Sequence, residues 1–217
     1  ESTRPGAKPV SADEEMQRVV PVIRELRATN EELEISIDTS KTQVATSAIE
    51  AGATLVNDVR AGLDDGMLDL CANAKASVCL MHMKGTPLTM QNNTHYENIV
   101  EDVYRFLCER IEAALRCGID IDRLFVAPGI GFGKSLLDNL VLISAVARFR
   151  QSGAKVLIGA SRKRFIGHIT DESVAERRVH GSIGAALAAA HHGADMLRVH
   201  DVKPTMDALK VYFGAMK

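Results

Sequence analysis

The sequence predicts an α/β fold built on a parallel sheet, and three features carry that expectation. Short apolar, β-branched runs alternate strictly with longer helix-period segments; no hairpin signal joins two runs; and each run ends in polar or glycine-bearing sequence. The first helix is expected over Ala12–Ala28, with Ser11 as its cap and Glu14 completing a capping box. Strands follow at Ile35–Asp38, Thr54–Asp58, Ser77–His82, Leu124–Ala127, Val156–Ala160 and Met196–His200. The helices between and after them read as Thr42–Ala51, Gly66–Asn73, Tyr96–Cys117, Leu136–Gln151, Ala175–His192 and Thr205–Met216.

The strand ends sharpen the architecture. The first leads into Asp38-Thr39-Ser40-Lys41, the second ends in Asn57-Asp58, and the third ends in His82-Met83-Lys84-Gly85-Thr86. The fourth opens on Pro128-Gly129-Ile130-Gly131-Phe132-Gly133-Lys134, the fifth on Ser161-Arg162-Lys163, and the sixth carries Arg198, His200 and Asp201. Barrel active sites are built from the C-terminal ends of many strands, whereas the crevice of an open sheet draws on fewer. The expectation is a TIM (β/α)8 barrel, of which six strands are counted. The first two strands and the first helix, on the order of 60 residues, are expected to be absent from this chain. Residues 1–217 read as a single domain, and the polar opening ESTRPGAKP reads as a loop and not a signal peptide.

Composition excludes several classes. Apolar residues make up 46% and charged residues 25%, and the formal net charge of -2 is spread without a basic cluster, so no nucleic-acid surface is expected. There is no apolar run of membrane-spanning length. Cys71, Cys79, Cys108 and Cys117 form no C-x-x-C pair and read as reduced thiols of a cytoplasmic protein.

Seven segments in order carry a resemblance: ESTRPGA, SIDTSK, LVNDV, MHMKGTPLTMQ, PGIGFGK, SRKRFIG and RVHDV. Together they resemble dihydropteroate synthase over the whole chain. The resemblance implies a transferase of folate biosynthesis. It would condense 6-hydroxymethyl-7,8-dihydropterin pyrophosphate with p-aminobenzoate, with loss of pyrophosphate before attack, Mg2+ as cofactor, sulfonamides as competitors and a homodimeric state. The small-residue run Ala185–His191 would allow close helix packing in such a dimer.

The residues have their own chemistry. A pterin edge presents several donors and acceptors, and a carboxylate with a carboxamide can read it; Asp38 and Asn57 are of those types at adjacent strand ends. Asp38 reads equally well as a helix cap and Asn57 as a turn brace, a role also expected of Asp58. Met83 can lie on a ring face or simply fill core. By resemblance, Lys163 reaches the pterin and the p-aminobenzoate side, and Ser161 touches the p-aminobenzoate carboxylate. Arg198 and His200 alternate on one strand, share a face and suit pyrophosphate. Asp38, Lys163 and Arg198 are the expected catalytic groups. By resemblance, Thr3, Arg4 and Pro5 match the family's mobile second loop, which covers p-aminobenzoate, and Gly131 and Phe132 a wall of that subsite. Arg162 and Arg164 read as solvated, His82 as structural, and no metal ligand is expected within this chain.

Two departures from the family stand out. The family's magnesium-contacting Asn belongs to a strand absent here. Its Asp before Pro-Gly on the fourth strand is replaced by Ala127. Two other readings share the barrel: a methyltetrahydrofolate-binding methyltransferase domain, which does not usually carry the Ser-Arg-Lys and Thr-Arg-Pro sets, and a non-catalytic pterin-binding barrel, which Ala127 favours.

Overall fold

The computed structural model describes residues 1–4, 6–90, 92 and 94–216. A loop leads into α1 (Ala12–Thr29), followed by β1 (Ser36–Asp38), α2 (Thr42–Glu50), β2 (Leu55–Asp58), α3 (Met67–Asn73) and β3 (Ser77–Met81). Then come α4 (Ile99–Arg116), β4 (Leu124–Ala127), α5 (Leu136–Ser144), α6 (Val146–Arg150) and β5 (Lys155–Ile158). The chain ends with α7 (Arg164–Thr170), α8 (Val179–His191), β6 (Met196–Leu197) and α9 (Val202–Ala215). The six strands pair in sequence order, and every pair is parallel.

Both faces of the sheet are apolar, which is why the strands lack polar alternation. Val56, Val78, Leu80, Val126 and Ile158 face the helices in the main core. Cys79, Met81, Phe125, Ala127 and Leu157, with Val59, pack on the opposite, inner face. Asp38, Asn57, Cys79 and Phe125 stand in one register row. Arg198, just past β6, forms an ion pair with Asp38 on β1. These strands are the two ends of the sheet, so the contact requires the sheet to curl into a trough around its inner face.

Several expected elements are corrected. The sixth strand stops at Leu197: Arg198 N still donates to Ile158 O at 3.0 Å, but His200 N turns to the Ser161 hydroxyl at 3.2 Å. The helix expected over Leu136–Gln151 breaks at Ala145, and the break turns Val146 and Phe149 fully into the core. The helix expected from Tyr96 starts at Ile99, capped by Asn98, because the Tyr96 hydroxyl donates instead to Gly133 O at 2.9 Å. The Ser11 cap is present, but Glu14 pairs with Arg18 and leaves the box half made. Helix α7 was not expected. A glycine at 167 argues against a helix, yet the Glu172 carbonyl would lie 2.5 Å from any β-carbon there, so only glycine lets the chain fold back.

Candidate active site

The trough opens on a cavity of about 1020 Å³ at the C-terminal strand ends, the size of a ligand pocket. Its lining includes Thr3, Arg4, Asp38, Asn57, Gly131, Phe132, Ser161, Lys163, Arg198 and His200. Sequence-distant residues meet here because every strand points the same way. Pro5 lies outside the described residues. Met83 packs against the inner-face cluster, the core-filling alternative of its two readings, and does not line the cavity.

Asp38 and Asn57 face each other across adjacent strands, and Asn57 Nδ2 donates to Asp38 Oδ1 at 2.5 Å. The other Asp38 oxygen takes the Arg198 guanidinium. Asp38 makes no cap contact; the first turn of α2 is held instead by Asp64, which accepts from Thr42 N at 2.8 Å. Asp58 points to the other face and braces its turn, accepting from Arg60 N at 2.8 Å and Gly62 N at 2.6 Å.

Lys163 sits over the Phe132 ring, 4.3 Å from its centroid, and donates to the Ile130 carbonyl. Burial, then the neighbouring Arg198 cation, pull its ammonium down to about 7. Gly131 has a φ of +80°, and a β-carbon there would lie 3.0 Å from Lys163 Cδ; the turn and the lysine's seat both need glycine. Gly131 N donates to Asn139 Oδ1 at 2.5 Å, which fixes the wall to α5.

Ser161 is buried, and its hydroxyl lies 3.0 Å from His200 Nδ1. Burial, then the Arg162 and Arg198 cations, hold His200 below the ordinary imidazole range. Arg162 is not solvated as expected: it donates to Asp201 at 3.0 and 2.6 Å and ties the end of β5 to the segment after β6. Arg164 is exposed, as expected.

Lys134 ends the Gly-Ile-Gly-Phe-Gly-Lys segment. It is 4% exposed and bonded to Phe132 O at 2.8 Å, His82 Nδ1 at 3.0 Å and His82 O at 3.4 Å. Burial, then the Lys163 cation, hold it well below the usual lysine range. Its position in Gly-Phe-Gly-Lys is readable from sequence; its burial is not. His82 is structural as expected. It packs edge-on to Phe106 at 5.0 Å, and burial, then the Lys134 cation, push its imidazole down to about 3.

Ala127 is buried on the inner face, between Met81 in register and the cavity. The corner of the cavity at the ends of β1, β2 and β4 therefore holds one carboxylate, Asp38, and an apolar floor. Among the described residues, no group of three or more His, Cys, Asp or Glu is placed to hold a metal ion. These side chains do not fit a protein-held Mg2+.

Comparison with known proteins agrees with this geometry. A family model described as pterin binding enzyme matches residues 1–200. The dihydropteroate synthase of Escherichia coli (strain K12) is 42% identical over 211 residues, covering 97% of this chain and 74% of that relative. The Xanthomonas albilineans dihydropteroate synthase, solved with 4-aminobenzoic acid, superposes with a TM-score of 0.93 at 47% identity, covering 100% of this chain and 77% of the other. The Yersinia pestis dihydropteroate synthase in a sulfonamide drug complex gives 0.95 at 40% identity, covering 100% and 78%. The chain belongs to the pterin binding enzyme family and, within it, to the dihydropteroate synthases.

Proposed function

We propose that the cavity is where 6-hydroxymethyl-7,8-dihydropterin pyrophosphate meets p-aminobenzoate to give 7,8-dihydropteroate and pyrophosphate, with sulfonamides competing for the second substrate. The observation that carries this reading is convergence: Asp38, Asn57, Ser161, Lys163, Arg198 and His200, from four strand ends, line one cavity. Asp38 and Asn57 read the pterin edge, and the Asp38 carboxylate offsets positive charge developing on the ring as pyrophosphate leaves. Arg198 and His200 take the departing anion. Lys163, on the face of Phe132, spans the two subsites, and Ser161 meets the p-aminobenzoate carboxylate beneath Thr3 and Arg4. The curl of the sheet supports the TIM-barrel reading.

Mg2+ stays within this reading only as an ion accompanying the substrate's phosphates, and no step is routed through it. A homodimer is supported by exposed Leu137, Leu140, Val211 and Phe213, not by Ala186 and Ala189, which are buried within the chain. Among the described residues no helix is long and apolar enough to cross a membrane; a cytoplasmic location remains part of the proposal. The test is product formation from both substrates. Pterin binding without any dihydropteroate would instead support a non-catalytic pterin-binding barrel, the reading that Ala127 favours.

A further inference from the structure

We propose that Lys41 is a positioning residue: it ties the loop bearing Thr3 and Arg4 to the strand end bearing Asp38, and so sets the p-aminobenzoate side of the cavity. The inference rests on the functional reading above and adds a residue to it. Lys41 follows β1 by three residues and caps α2 without using its side chain. Its ammonium lies 2.6 Å from Glu15 Oε2 on α1 and 3.1 Å from Glu1 Oε2 on the loop. Glu1 Oε2 also accepts from Val10 N at 2.8 Å, so residues 1 and 10 are joined through one carboxylate.

Glu15 is 1% exposed, which is unusual for a glutamate on a helix. Burial raises its carboxyl, but hydrogen bonds from Lys41 and Thr39 prevail and hold it below the usual range. Its second oxygen, Oε1, accepts no hydrogen bond and lies 3.3 Å from the Glu1 backbone nitrogen. A charge kept so deep marks a fixed point to which α1, the loop and the β1 end are all pinned. The loop is seated close: a cavity of only about 10 Å³ separates Glu1 and Thr3 from Asp38, Thr39 and Ser40. Gly6 N donates to Pro87 O at 3.0 Å and holds the loop's far side. Lys41 and Glu15 do not line the cavity, although Glu1 does. The effect of the three groups is to anchor the base of the loop beside the β1 end, which limits the positions Thr3 and Arg4 can take up and so lowers the ordering cost of binding p-aminobenzoate.

The experiment compares wild type, Glu1→Gln and the paired variant Lys41→Met/Glu15→Gln. Lys41→Met alone would strand a buried carboxylate and threaten folding; the paired variant removes both charges, and Glu1→Gln leaves the buried pair intact. The expected result is a KM for p-aminobenzoate raised about fivefold in Glu1→Gln and more in the paired variant. The KM for pterin pyrophosphate and kcat should stay within about twofold. Amide hydrogen exchange over residues 2–10, measured without substrates, should quicken in both variants. Equal increases in both KM values, or unchanged exchange over the loop, would overturn the proposal. A wild-type protein that makes no dihydropteroate counts against the functional reading alone, and the exchange measurement still decides the tether.

Discussion

Replacing Ala127 by Asp should restore a second carboxylate to the ring-reading corner. The site is prepared sterically: Ala127 is the last residue of β4, 5% exposed, and its carbonyl is already engaged by His82 N at 3.0 Å. The new group would face the cavity beside Met81, Phe125 and Leu157, with Asp38 on the same inner face. A carboxylate accepting from two ring donors gains about 1.5–3 kcal/mol per hydrogen bond. Against that stand its own desolvation and its repulsion from Asp38. A net gain of about 1.4–2.8 kcal/mol is expected, or roughly 10- to 100-fold in pterin affinity. The unliganded protein should lose stability at neutral pH. Burial and Asp38 would raise the folded-state pKa of the new group above its unfolded value of about 3.9, so the loss appears above that value and fades below it. Titration calorimetry with pterin pyrophosphate and with pyrophosphate alone is the assay. The affinity for pyrophosphate alone should change far less than that for the pterin, because the groups assigned to it are Arg198 and His200, although Arg198 reaches Asp38 in the same corner. Equal pterin affinity with Ala or Asp would refute the assignment of position 127 to the ring.

Four further outcomes follow from the lysines and from the strand-end brace. Lys163, held near pH 7 in the folded state, should gain a proton when an anionic substrate binds; calorimetry at pH 7.5 or so in two buffers of different ionisation enthalpy should show proton uptake, and Lys163→Met should abolish it. Because Lys163 and Lys134 bind protons more weakly folded than unfolded, stability should rise with pH from about 7 towards 10, and denaturant midpoints for Lys163→Met should rise less steeply. Lys134→Met leaves the carbonyls of His82 and Phe132 without their donor; a loss of about 1–3 kcal/mol is expected, and a gain in stability would show that the buried cation is a net burden. Arg162→Ala breaks the pair with Asp201 and should lower the thermal midpoint, less so at high salt, as read by thermal unfolding in low and high salt.

Much of this was legible in the chain because parallel sheets leave a plain signature. Six apolar runs, each followed by a helix-period segment, located all six strands, and the polar residues that end them located the cavity. What escaped was set by tertiary contact. Gly167 hid α7 because its reason is the Glu172 carbonyl, five residues on, and not any local preference. The short β6 followed from Ser161 capturing His200 N. Arg162 looked solvated because its partner, Asp201, lies 39 residues away. Lys134 was invisible as a buried cation because nothing in a lysine's neighbours along the chain reports that it will bond two backbone carbonyls.

The ion pair between Asp38 and Arg198 has a consequence for how ligands cooperate. The carboxylate proposed to grip a pterin and the guanidinium proposed to grip an anion are engaged with each other. In the proposed reading, each ligand competes with this half-exposed pair. The first to bind bears that cost and leaves the second group free. A pterin ring held by Asp38 releases Arg198 towards pyrophosphate, and pyrophosphate held by Arg198 releases Asp38 towards the ring. Linkage requires the two enhancements to be equal. In a molecule that carries ring and pyrophosphate together, the strut is broken once and both halves of the substrate share the benefit.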